Sequence, residues 1–338
     1  MAASTVGFTY ASLMGLGPQY AVETAGRAAA LGFGSFWTAE TTGPDAFSLL
    51  AAAGAAAPGL DLGTGVLALQ LRTPPLAAMS AATLSALDPS RDVLLGVGIS
   101  SPVVTSRWHG APYGDRPLGQ VREYVALVKE CLSGEKVTFA GDHYQVKGFR
   151  LGVRFGEDAR RPEVVLGALG PKMLRLAGEV ADGVLLNYLP ASHVAWSVEQ
   201  VRAGEAAAGR EPGSCAVHAY VHAGVADRDG ALTNGRKDLF SYAVVDSYAE
   251  SFTKAGFGDA VTEVRDRHAA GDREGALAAV SEEMVDAIDV VGDADLVRDT
   301  VRAYADAGVD HPVLMPLPWG PDRKQVVDET MQAAVSAL

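Results

Sequence analysis

Cysteine is scarce in this chain: Cys131 and Cys215 are the only two in 338 residues. Two thiols give neither a disulfide framework nor the paired cysteines of a structural zinc site, and they fit a reducing compartment. Positive charge is short as well, with 28 Lys and Arg against 41 Asp and Glu and a formal charge of −13. A surface of that sign repels phosphate backbones and anionic membranes, so neither nucleic acid nor a membrane is an expected partner. A small phosphorylated ligand remains compatible, because backbone N–H groups at a helix start can hold it. No long apolar run is present, and stretches such as 164–169 fall far short of the roughly 18 residues that span a bilayer. The segment MAASTVGFTYASLMG has neither the basic start nor the apolar core of a secretory leader. The expectation is a cytoplasmic protein. The GxSxG elbow, the phosphate loop and HExxH are all missing.

What the chain does have is apolar content, 48%, with 38 Gly and 17 Pro punctuating it. Short apolar runs at 5–9, 35–39, 61–68, 92–98, 163–168, 183–187, 216–225 and 312–317 read as strands. Most are continuously apolar, as strands buried on both faces of a parallel sheet are. Segments 20–31, 75–86, 118–132, 172–180 and 296–307 carry apolar residues at three- and four-residue spacing and read as helices. Three similar helix exits, at 30–34, 180–184 and 307–310, each place a glycine where the chain turns back toward a strand. Eight strands alternating with helices, and no linker between halves, predict an α/β fold: a (β/α)8 TIM barrel forming one domain over 1–338, with insertions after strands 4 and 7. The first insertion contains a small hairpin turning at 140–142. The second contains helical stretches at 237–254 and 275–287.

The chemistry-bearing candidates are few. His218 and His222 share a strand face with Tyr220, but four residues along a strand span about 13 Å, too far to share one ion. No metal is expected, and the two imidazoles read as hydrogen-bonded or surface groups. His109, His143 and His268 fall in or beside loops. Glu282, Glu283 and Asp286 read as a solvated helix face. Gly96-Val97-Gly98-Ile99-Ser100-Ser101 starts like a dinucleotide fingerprint but lacks the third glycine, and reads as the exit of strand 4. Gly167-Ala168-Leu169-Gly170-Pro171-Lys172 links a strand to a helix with Pro at the first helical position. Such a turn suits an anion, or is an ordinary β-to-α connection. Glu40, at the exit of strand 2, is either a functional carboxylate at a barrel mouth or a helix-cap partner. Tyr10, Trp108, Tyr113 and Trp319 are candidate pocket lining, or packing.

Five motifs in fixed order resemble the bacterial luciferase-like superfamily of flavin and deazaflavin oxidoreductases, and most of all its coenzyme F420-dependent branch. They are LGFGSFWTAE (31–40), LGTGVLALQLRTPP (62–75), RDVLLGVGISSP (91–102), WHGAPYGDRPL (108–118) and VVLGALGPKMLRLAGEVADGVLLN (164–187). The resemblance implies the same barrel, a homodimer, and hydride transfer between coenzyme F420 and a small organic substrate. It implies a non-proline cis peptide at Gly65-Val66 behind the cofactor ring. It places Ser100 near the ring or ribityl chain, and Gly167, Ala168, Leu169, Gly170 and Lys172 around the phosphate-bearing tail, with Asn187 beside them. Glu40 matches the acidic position near the reactive edge. Several deazaflavin enzymes carry His directly after that residue; here Thr41 stands there, and His109 is the candidate substitute. The alternatives are an FMN-dependent monooxygenase on the same barrel and a non-catalytic flavin-binding barrel. The cysteine and histidine pattern of light-emitting subunits is absent.

Overall fold

A computed structural model describes residues 5–156 and 160–338. Eight parallel strands close on themselves: β1 (Gly7–Thr9), β2 (Ser35–Thr38), β3 (Asp61–Thr64), β4 (Val93–Gly98), β5 (Glu163–Gly167), β6 (Gly183–Leu186), β7 (Ala216–Val225) and β8 (His311–Pro316). Each pairs with the next, and β8 returns to β1 through Gly7 opposite Val313. This is the predicted (β/α)8 barrel. Helices α1 (Pro18–Leu31), α2 (Ala46–Ala56), α3 (Pro74–Leu87), α4 (Pro117–Leu132), α5 (Pro171–Val180) and α6 (Ala191–Ala207) follow the first six strands in order. Four of them start on Pro, whose missing N–H costs nothing at a helix start. No helix among the described residues is long and apolar enough to cross a membrane.

Apolar side chains sort into layers. Trp37, Leu94, Val165, Leu185, Tyr220, Val313 and Met315 fill the barrel interior, and a larger cluster joins the outer strand faces to the helices. A Cβ on Gly63 would sit 2.3 Å from the Trp37 ring, so glycine there makes room for the indole. Aspartates seal the N-terminal end. Asp61 accepts the backbone N–H of Asp92, and Asp182 that of Val164. Of the three similar helix exits, Gly32 and Gly308 take the left-handed turn (φ +94° and +109°). The third does not: Ala181 is extended, and Gly183 begins β6 with Ala216 O and His218 Nε2 close above its Cα.

Both insertions sit where predicted. After β4 come a π-helical turn (Val103–Trp108), α4 and the hairpin Val137–Ala140/Gln145–Phe149. After β7, helices α7 (Arg228–Ala243), α8 (Asp246–Phe252), α9 (Gly258–Ala269), α10 (Arg273–Ala278) and α11 (Glu282–Ile288) pack around their own apolar cluster. Tyr188, just past β6, belongs to that cluster and ties it to the barrel mouth. Val290–Gly292 then pairs with the end of β7, and α12 (Ala294–Asp306) leads into β8. Helix α13 (Arg323–Val335) closes the chain.

Candidate active site

The C-terminal ends of β2, β3, β4, β5 and β6 bring most of the candidate residues to one rim. Strand 3, expected to run unbroken over 61–68, is interrupted. Its first part ends at Thr64, the Gly65-Val66 peptide is cis, and Leu67–Ala68 resumes pairing against Val97 and Gly98. Tyr220, inside the barrel, donates its hydroxyl to Gly65 O at 3.0 Å, and a Cβ on Gly65 would lie 1.8 Å from that hydroxyl. Only glycine fits under the phenol. Gly65 N in turn donates to Thr38 O, and Thr64 Oγ1 to Gly96 O. The half-buried Val66 side chain lies over Gly98 and Gly167, where a Cβ would stand 3.0–3.2 Å from its methyls.

At the end of β2, Glu40 is fixed from two sides. Arg72, on the loop after Leu67–Ala68, donates Nε to Oε2 at 2.9 Å and Nη2 to Oε1 at 2.7 Å. The Ala46 N–H at the start of α2 also points at Oε1. Arg72 further pairs with Asp45 and lies over the Phe47 ring. Glu40 is thus a carboxylate ringed by donors and serves as the cap partner as well. His109 is exposed and C-caps the π-helical turn, with Nε2 2.6 Å from Thr41 O. A carbonyl only accepts, so Nε2 carries the hydrogen of this contact.

The turn after β5 is open. Gly170 is the N-cap of α5 in extended conformation (φ −82°, ψ 157°), and among the described residues no side chain caps the helix and a Cβ there would meet nothing within 4 Å. Pro171 has no N–H and Met173 donates to Gly170 O at 3.0 Å, so the first-turn donor this start leaves open among the described residues is the Lys172 N–H, at the positive end of the helix dipole. Lys172 is exposed at the same start. Ser100, half-buried, follows β4 on the neighbouring rim.

Register sets Asn187 beside this turn, since Gly167 pairs with Leu185 two residues earlier. Its Oδ1 accepts the Tyr188 N–H at 2.9 Å and faces His222 Nε2 at 2.8 Å. His222 Nδ1 meets Asp289 Oδ1 at 2.9 Å, and Tyr188 donates its hydroxyl to Asp238. Tyr188 itself has φ +51°, an uncommon value for a non-glycine residue. Burial pushes His222 down to about 4. Burial, then the charge of Asp289, raises Asp238 to about 6, and burial raises Asp289 further.

Arg72, Asp45, Asp238 and Asp289 went unseen in the sequence because each partner lies 27 to 67 positions away and no local pattern links them. His222 is hydrogen-bonded as expected, but His218 is neither bonded nor at the surface. Both its ring nitrogens are buried without partners among the described residues, between Trp37 and His311. His268 lies in the last turn of α9, beside the loop that follows. Tyr10 is core packing, fully buried with its hydroxyl on Gly17 O. Trp108 is exposed, Tyr113 half-buried. Trp319, with Asp227, Asn234, Pro318 and Arg323, lines a cavity of about 600 Å³ between the loops after β7 and β8. Glu282 and Asp286 are an exposed face as read, gathered by Arg228.

Comparison with known proteins places this architecture. The chain is 31% identical over 313 residues to a Mycobacterium tuberculosis protein provisionally named as a coenzyme F420-dependent oxidoreductase, covering 86% of this chain and 89% of that one. It is 31% identical over 274 residues to the 5,10-methylenetetrahydromethanopterin reductase of Archaeoglobus fulgidus, covering 79% and 80%. The solved structure of the coenzyme F420 dependent tetrahydromethanopterin reductase of Methanopyrus kandleri superposes with a TM-score of 0.80 over 100% of this chain and 99% of that one, at 22% identity. The family model described as luciferase-like monooxygenase matches residues 3–311, and the chain belongs to that family of enzymes.

Proposed function

We propose that this chain is an oxidoreductase that exchanges a hydride between coenzyme F420 and a small organic substrate. On this reading it works as one barrel domain in the cytoplasm, in the homodimeric form the family resemblance implies. The observation that carries the reading is the uncapped start of α5 at Gly170, open to solvent and flanked by Gly167 and Asn187 at the barrel rim. Relatives at 31% identity that bear F420-dependent and methanopterin-reductase names support the choice of cofactor.

The residues fit such a group. A glycine-lined turn with the open Lys172 N–H, the exposed Lys172 side chain and the helix dipole suits an acidic tail. Val66, raised above Gly98 and Gly167 at the break in strand 3, offers an apolar back for a flat ring, and Ser100 a polar contact beside it. When bound, the cofactor supplies the hydride exchange at its central ring; the protein supplies orientation, water exclusion and proton handling.

Two groups divide the proton handling. Glu40, held by Arg72 on both oxygens, is the base beside the reacting atom. His109 is tethered by Nε2–H to the residue that follows Glu40, which leaves Nδ1 to take or return a proton through the solvent-facing side. On this reading His109, 68 positions from Thr41 and in contact with its carbonyl, takes the place of the histidine that the family resemblance would put at Thr41. The test is fluorescence titration of purified apoprotein with F420 and with FMN. The reading predicts saturable F420 binding and weaker FMN binding. A reversed preference would move the chain to the monooxygenase reading, and F420 binding without turnover on any acceptor to the non-catalytic one.

A further inference from the structure

The Asn187 side chain is held by groups that lie behind the rim. A backbone N–H only donates, so the atom that receives the Tyr188 N–H is the amide oxygen, and the orientation of the carboxamide follows. The His222 nitrogen 2.8 Å from that oxygen must then carry hydrogen. Its other nitrogen lies 2.9 Å from Asp289 Oδ1, and both side chains are almost wholly buried. Burial keeps the imidazole neutral, so with the hydrogen on Nε2 the Nδ1 nitrogen faces Asp289, whose carboxyl burial holds well above the usual carboxylate range. Asp238 completes the cluster, within 4.8 Å of both and holding the Tyr188 hydroxyl. The 2.9 Å contact between His222 and Asp289 is a hydrogen-bond distance. With Oδ1 doubly occupied, the Asn187 Nδ2 amide has no partner among the described residues, on the strand end beside the 167–170 turn.

We propose that His222, oriented by Asp289, is a positioning residue that locks the Asn187 carboxamide and presents its Nδ2 hydrogens to the anion-binding turn as a fixed donor to the phosphate-bearing tail. The proposal rests on the F420 reading of the site. Its experiment has two arms. In the apoprotein, nitrogen NMR of labelled histidine is expected to find His222 as the Nε2–H tautomer. In F420 titrations, Asn187→Ala and His222→Phe should each weaken binding about tenfold, the scale of one hydrogen bond to a charged group. His222→Gln, whose side-chain amide still donates, should restore affinity to within about threefold of wild type. An Nδ1–H tautomer would overturn the lock. So would a stoichiometric metal lost in His222→Phe, or Asn187→Ala weakening binding while both His222 variants bind as wild type. Wild-type protein that fails to bind F420 would overturn the cofactor reading and the donor's target, while the tautomer still reports on the lock.

Discussion

Placing a carboxylate on the uncapped start of α5 separates folding from binding. Gly170 has φ −82° and ψ 157°, values any residue adopts, and a side chain there enters open space. In Gly170→Asp the new carboxylate can accept the N–H of Lys172 and cap the helix. Aspartate caps better than glycine by a few tenths of a kcal/mol, so the melting temperature should hold or rise slightly. Binding should move the other way. Two unit charges about 4 Å apart at an effective dielectric of about 20 repel by about 4 kcal/mol. Solvent and salt at the open rim screen part of that. The Lys172 N–H that would meet the tail is also occupied. A loss of F420 affinity of at least about 30-fold, or about 2 kcal/mol, is expected. Gly170→Asn, which caps without charge, should lose less than Gly170→Asp. The assay is fluorescence titration at two salt concentrations, with the charge-dependent part of the loss shrinking at high salt. Affinity unchanged in Gly170→Asp, with the cap formed and the protein folded, would refute the placement of the anion.

Three further outcomes are expected. Glu40→Gln should keep F420 affinity within a few-fold while turnover falls on the order of 100-fold, read by steady-state kinetics at saturating cofactor; unchanged turnover would remove Glu40 from the chemistry. His109→Ala should lower turnover about tenfold or more and flatten the pH–rate profile, whereas an unaltered profile would return His109 to a surface role. His218 bears on stability: burial holds it down to about 3, while the unfolded chain takes up that proton near 6.5. Below 6.5 the unfolded state binds more protons, so stability is lost as the pH falls from there toward 3. His218→Leu removes two unpaired buried nitrogens, and should match or exceed wild-type stability at pH 7 and lose less on acidification in denaturant titrations.

The barrel was legible because its strands are short apolar runs with nothing else to be, and because Pro and Gly mark where the helices begin and end. Six of the eight predicted strands lie within a residue of the observed ones; the first begins two residues later than read, and the third is broken at Gly65-Val66, a matter of backbone geometry that apolar periodicity does not encode. Helix α2 escaped the reading because AFSLLAAAGAA is apolar all round and shows no polar face. Helices α6 and α13 escaped too, their apolar residues being spread around the axis. At the rim, the turn at 167–172 was legible as strand, glycines and proline in sequence. The Arg72–Glu40 pair and the Asp289–His222–Asn187 chain were not, because they join residues from different strand ends that meet only after the barrel closes.

The most direct measurement is a crystal structure of the protein soaked with F420. The account predicts the acidic tail of the ligand on the backbone N–H groups of the 167–172 turn, within hydrogen-bond reach of Asn187 Nδ2, and the ring against Val66. A ligand bound elsewhere, such as the cavity beside Trp319, with the α5 start bare, would contradict it.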